Sequence, residues 1–297
     1  MRTKTFATAS LVAVAALVAA SYVGPAEAGS WAIWAVVCVS VLVFAWGYPR
    51  LVGLPAPWPL SAVIALAGLG ASTAATVAPM PSPLQWMGAF GALGVILVFV
   101  TQLLRGTGQR QRLESTLGGC AGVLVVVFGS GWVAADRLAP NAGNGSMMLL
   151  SGLSIAAAVL VSAIPWPERL TAPLGWLAAI LVGGVASVLV VDVSVIPAVV
   201  VGAVVGSVVV CFHVLVVSEA QVLRGGSFST VAPGAPGATA GPRDDVLGIA
   251  ASPSAEQGTV AGKDAGVLGI RGAIAVGVAC VIASGALVYY VERMLLH

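Results

Sequence analysis

Long apolar runs, broken at short intervals by proline, glycine or charge, dominate this chain. Nine runs reach the roughly 17–25 residues that a helix needs to cross the hydrocarbon core of a bilayer: 5–23, 31–48, 60–78, 84–104, 117–135, 147–164, 174–191, 195–217 and 272–291. Each is apolar around its whole circumference. A barrel strand would instead alternate apolar and polar residues over about ten positions. Helices satisfy their own backbone groups in lipid, so the expected architecture is an all-α polytopic transmembrane bundle of about nine spans.

Composition supports a lipid-facing surface. Only 8% of the 297 residues are charged, and the mean hydropathy is +1.04. A soluble domain carries about 25% charged residues to keep its surface in water. The net charge of +2 is too small to suggest nucleic acid as a partner. Arginine outnumbers lysine eleven to two, and Ala, Val and Gly are abundant. That bias suggests a GC-rich bacterial genome, and hence a multi-pass protein of the bacterial cytoplasmic membrane.

Basic residues set the expected orientation, because cytoplasmic loops retain Lys and Arg. With the amino terminus inside, the cytoplasmic segments hold Arg2, Lys4, Arg50, Arg105, Arg110, Arg112, Arg169, Arg224, Arg243, Lys263 and Arg271. The outer segments hold only Arg137 and Arg293. Indole and phenol rings prefer the interface, where the ring is dry and its polar group wet. Trp31, Trp46, Trp58, Trp86, Trp132, Trp166 and Trp176 fall near run ends, as do Tyr22, Tyr48, Tyr289 and Tyr290.

Three regions follow. Residues 1–217 form an eight-helix bundle, and 218–270 form a Gly/Pro/Ala-rich cytoplasmic linker whose composition predicts disorder. Residues 271–297 form a ninth helix with a short outer tail, expected to be tethered loosely. Pro-Trp-Pro occurs at 57–59 and 165–167, and a shift of 108–115 residues lays the first four runs near the next four. A 4+4+1 arrangement with a parallel repeat is one expectation; recurrence of Pro and Trp in interfacial loops explains the same pattern without a repeat. Gly118 with Gly122, Gly202 with Gly206, and Gly88, Gly91 and Gly94 offer small faces for close helix packing.

Candidate chemistry is sparse. Cys38, Cys120, Cys211 and Cys280 fall in four different runs without CxxC or neighbouring histidine, so neither metal nor disulfide is expected, and no cofactor. Ionisable groups within spans flag function by default. His213, one turn from a cytoplasmic helix end, and Asp192 and Asp136, at outer ends, are the weak catalytic candidates. His213 could relay a proton; a histidine hydrogen-bonded between helices is the alternative. Arg105, Arg110 and Arg112 form the densest basic patch and could hold an anionic lipid headgroup, although positive-inside anchoring accounts for the same residues. Ser72, Thr73, Thr76, Ser151 and Ser154 are expected to hydrogen-bond between helices.

No motif singles out a known family. Three function classes fit: a permease-like or otherwise non-enzymatic membrane component, a membrane-embedded enzyme acting on a lipid or lipid-linked substrate, and a structural or assembly subunit. The bland spans favour the non-enzymatic readings. The bilayer is the one partner the sequence implies; it specifies neither a homo-oligomer nor another membrane-protein partner.

The first run has one ambiguity. A basic start, an apolar run and Ala26-Glu27-Ala28 resemble a cleavable signal, but the run is long and the next begins at once. Retention is expected, so the intact mass of purified protein should include residues 1–28. A mature terminus at Gly29 would reduce the expected spans to eight.

Overall fold

A computed structural model describes residues 2–23, 29–52, 57–79, 82–105, 112–138, 146–164, 168–191, 195–225 and 257–296. The elements are α1 (Arg2–Val23), α2 (Gly29–Leu51), α3 (Pro57–Val77), α4 (Met87–Leu104), α5 (Arg112–Phe128), α6 (Ser130–Leu138), α7 (Ser146–Ala163), α8 (Glu168–Ala186), α9 (Val195–Gly225) and α10 (Gln257–Leu296). A single π turn, Ser187–Val191, extends α8. No strand occurs among the described residues, and the chain is a polytopic helical bundle.

Eight apolar segments are long enough to cross a membrane. The sixth expected span is a shorter apolar helix, Met147–Ala163. At 1.5 Å per residue it covers about 25 Å, somewhat less than the roughly 30 Å core. The fifth expected span is one apolar segment, Ser115–Leu138, made of two helices. The break falls at Gly129, whose N–H bonds the Val126 carbonyl at 3.1 Å, while the Trp132 N–H bonds the Gly129 carbonyl at 3.1 Å. Ser130 Oγ donates to the Val127 carbonyl at 2.7 Å. A Gly-Ser-Gly sequence with a hydroxyl turned onto its own backbone is a recognised cause of helix kinking.

The ninth span corrects an expectation. Far from hanging loosely on a linker, it is the axis of the bundle. In the most apolar 18-residue stretch of Ile270–Met294, 78% of residues are buried, against 22% in that of Met87–Leu104. Helix α10 packs on α1, α2, α5, α6 and α9. The reason is the size of its side chains. Gly277 lies against the Phe6 carbonyl of α1, where an added Cβ would stand 2.7 Å away, and Gly272 leaves room for the Leu51 side chain of α2. Helix also enters the expected linker from both sides, reaching Gly225 and resuming at Gln257, while 226–256 lies outside the described residues.

The remaining helices form two groups. Helices α2 to α6 pack on one another, as do α7, α8 and α9, and the substantial contacts between the groups run through α1 and α10. This pairing does not follow the 4+4+1 repeat. Helix α1 packs on α2, but its counterpart by the shift, α5–α6, packs on α2, α3 and α4 rather than on α7. Helix α7 packs on α9, whereas α2 makes no comparable contact with α4. Of the two Pro-Trp-Pro copies, residues 57–59 begin α3, and 165–167 lies outside the described residues.

Among the small residues expected to pack, Gly202 and Gly206 of α9 do so, against Ala179 and Trp176 of α8. Gly94 meets Val123, and Gly122 meets Tyr48 and Ile64. Gly88 and Gly91 do not: a Cβ at either would find nothing within 4 Å. Only positions that meet a neighbouring helix carry a requirement for glycine.

Helix α6 makes the tightest approach to α10. A Cβ at Gly131 would collide with the backbone of Gly285 and Ala286. Gly131→Ala should therefore destabilise the protein by about 1–3 kcal/mol, the cost of overpacking a closed contact. Gly88→Ala should be neutral or stabilise slightly, by at most about 1 kcal/mol from helix propensity. Thermal unfolding of the two variants in detergent should give shifts of different size and sign.

Candidate functional site

The registers of α5–α6 and α10 rise together. Gly129 faces Ile282, and Gly131 faces Ala286, so the two run parallel. Their ends therefore meet at one end of the bundle, where Trp132, Asp136 and Arg137 come from α6, and Tyr289, Glu292 and Arg293 from α10.

Trp132 anchors this end. It is 2% exposed, and its Nε1–H donates to the Val281 carbonyl at 2.7 Å. The same carbonyl accepts from Ser284 Oγ at 2.8 Å. This corrects the expectation that Trp132 belongs to the interfacial belt. An indole with its N–H matched to a helix carbonyl can be buried in full. Tyr289, also expected at the interface, is fully buried, and its hydroxyl accepts from Arg293 Nη1 at 3.1 Å.

Arg137 caps a neighbouring helix. Its Nη1 donates to the carbonyls of Ala75 at 2.6 Å and Ala78 at 2.8 Å, at the end of α3. The last carbonyls of a helix have no partner within it, so a guanidinium satisfies them and meets the negative end of the helix dipole. The sequence placed Arg137 in an outer loop, as a minor exception to the charge bias; in the structure it ties α6 to α3.

Glu292 is the residue the sequence reading missed. The expected span stopped at residue 291, which placed Glu292 in a hydrated tail. Helix α10 instead continues to Leu296, and Glu292 is 2% exposed. Gly285, Tyr289 and Glu292 are spaced four and three apart, so they share one helix face. Gly285 on that face packs on Trp132, and Asp136 lies close enough for its charge to act on Glu292. Among the described residues, neither carboxylate oxygen of Glu292 has a hydrogen-bond partner. Taking an ionised carboxylate out of water without a counter-group costs several kcal/mol, so such a group persists in a span chiefly where it serves a function. The available signal was the 285–289–292 spacing, which continues the apolar face through a charge.

The other candidates scatter. Asp136 joins this cluster and is half-buried. Asp192 lies outside the described residues. His213 is buried on α9, with its ring 6.1 Å from that of Phe6 in an edge-on arrangement, so it packs against α1. Arg105 is half-buried at the end of α4, and Arg112 begins α5. Arg110 lies outside the described residues. Hence, of the two catalytic candidates among the described residues, Asp136 comes within electrostatic reach of a second ionisable group and His213 stands apart. Groups of three or more metal-ligating side chains are absent among the described residues.

The serines and threonines behave differently from the expectation that they bridge helices. Ser154 and Thr76 donate to carbonyls of their own helices, those of Leu150 and Thr73. Thr73 does receive a cross-helix bond, from Trp34 Nε1 at 3.3 Å. Ser72 Oγ and Ser151 Oγ are buried without a hydrogen-bond partner among the described residues. Where a hydroxyl back-bonds, it does so because the i−3 or i−4 carbonyl of its own helix lies within its reach.

No family model, curated protein or solved structure matches the chain.

Arg137→Met should remove both bonds to the end of α3. A hydrogen bond to a charged group is worth roughly 1.5–3 kcal/mol, so a loss of at least that size is expected in thermal unfolding. Hydrogen exchange should quicken at the last turn of α3 before other helices respond. Unchanged exchange there would contradict the capping role.

Proposed function

We propose that the chain is a non-enzymatic, permease-like membrane protein. The observation that carries this reading is Glu292: a buried carboxylate without hydrogen-bond partners among the described residues, on the helix that joins both helix groups. Ionisable groups inside spans mark ion or substrate pathways by default. Two further features support it. One span is broken at Gly129 beside the same helix, and α8 ends in a π turn at Ser187–Val191. Discontinuous helices are common at transport sites, and π turns are frequent at functional ones.

In this reading the α2–α6 group and the α7–α9 group move against one another about α1 and α10. Glu292 and Asp136 sit where α6 meets the central helix, so occupation of that position by a cation would bias the arrangement. The bias of basic residues supports a cytoplasmic amino terminus, which places Glu292 at the outer side of a bacterial cytoplasmic membrane.

An assembly subunit is the second reading. It is favoured by an apolar groove of about 540 Å³ between α1 and α2, floored by Ile274 and Val278 of α10. Thr8 and Ser40 in its wall donate to their own helices, at the Thr5 and Val36 carbonyls, which leaves an apolar surface for a hydrophobic occupant.

Spin labels at Val77 and Val188 distinguish the two. Both positions are exposed, and they lie on α3 and on the π turn after α8, in different groups. A permease-like protein should show two distances between the labels, with populations that change in Glu292→Gln. One narrow distance, the same in both proteins, would sink the permease reading and favour the rigid subunit.

A further inference from the structure

At the opposite end of α10 a second charged cluster forms, with a different chemistry. The guanidinium carbon of Arg50, on α2, lies 5.5 Å from the Trp46 ring centroid and 5.0 Å from that of Trp58 on α3. The guanidinium carbon of Arg271, on α10, lies 4.7 Å from the same Trp46 ring. Two cations from two helices thus share one indole. The close crossing of α2 and α10 sets them there. A Cβ on Gly47 would stand 2.7 Å from Ala275 Cβ and 3.0 Å from the Arg271 carbonyl oxygen, so glycine alone permits the approach.

The rings hold the arginines without neutralising them. A cation over an aromatic face is attracted to the ring quadrupole, but both positive charges remain. Arg50 Nη1 donates to the Trp46 carbonyl at 2.5 Å, which uses one of five N–H donors. Among the described residues, neither guanidinium has a carboxylate partner. Two like charges held side by side, with most of their planar donors unused, form a receptor for an anion with several oxygens.

Depth decides which anion. Trp46 and Trp58 are exposed, at 46% and 69%, as indoles in a membrane interface are. Arg271 lies 21 residues before Glu292 in one continuous helix, which is roughly 31 Å at 1.5 Å per residue and matches the hydrocarbon thickness. The arginine pair therefore lies level with the headgroups of one leaflet, where phosphates are the abundant anions. We propose that Arg50 and Arg271, oriented by Trp46 and Trp58, bind the phosphate of an anionic lipid headgroup and fix the α2–α10 contact in the membrane. This site is separate from the basic patch around Arg105, and it does not depend on how Glu292 functions.

Native mass spectrometry of the full chain, titrated with phosphatidylglycerol and with phosphatidylcholine, tests the assignment. The wild type should retain the anionic lipid on the order of tenfold better, as expected for two arginines at a headgroup surface. In Arg50→Gln/Arg271→Gln the preference should fall close to that of the neutral lipid. Arg293→Gln, at the other end, should leave it unchanged. Should the glutamine pair fail to fold, Arg50→Lys/Arg271→Lys keeps the charges but loses the planar fork, and should show a reduced preference. An undiminished preference in the arginine variants would overturn the proposal. So would equal stabilisation by inorganic phosphate alone, which would assign the site to a soluble anion.

Discussion

In a bilayer, helices gain little by hiding apolar surface from one another, because lipid tails are as apolar as leucine. Association rests on how closely two backbones can approach, and α10 is built for that. Gly272, Ala275, Gly277, Gly285 and Ala286 place almost nothing between its backbone and the neighbouring helices, and α1, α2, α5, α6 and α9 all lean on it. The two helix groups meet mainly through α1 and α10, so the arrangement of the molecule depends on that small-residue surface. A bulky residue at one of these contacts would push the paired helices apart rather than fill a gap.

Close backbone approach also determines where polar groups go. Where backbones nearly touch, side chains from one helix reach the carbonyls of another: Ser10 Oγ donates to the Gly277 carbonyl at 3.0 Å, Trp132 to that of Val281, and Tyr48 to that of Gly118 at 3.0 Å. A helix carbonyl retains a second lone pair, so these bonds add to the ladder without breaking it. Other hydroxyls, such as those of Ser154 and Ser162, turn back on their own helix. Glu292 fits neither pattern, since a carboxylate cannot donate to a carbonyl unless protonated, and Asp136, another acid, acts on it electrostatically. Ser72 and Ser151 are also unpartnered among the described residues, but of these three buried groups Glu292 is the one that can carry a charge.

The helix that organises the fold also carries charge at both ends. Arg271 shares an indole with Arg50 at one end, and Glu292 faces Asp136 at the other. The two ends lie about 31 Å apart along the helix axis, close to the thickness of the apolar core of a bilayer. Each cluster draws residues from helices distant in sequence, which links the lateral packing of the bundle to its position in the membrane.

The residues themselves determined the class of fold. Runs of about twenty apolar side chains without alternation leave the helix as the natural structure that satisfies the backbone in lipid, so about nine apolar helices could be read, of which the structure makes eight long enough to cross and one shorter. The same arithmetic identified Asp136 as a charge at a helix end. It could not show that the last span is the central one, that Trp132 and Tyr289 leave the interface for the core, or that Glu292 is inside. Hydropathy averages over a helix and does not record which face meets which neighbour. Spans that are apolar all round carry no moment to reveal it. Only the packed bundle, through contacts such as Gly131 on the backbone of Ala286, decides which side chains become buried and which charges meet.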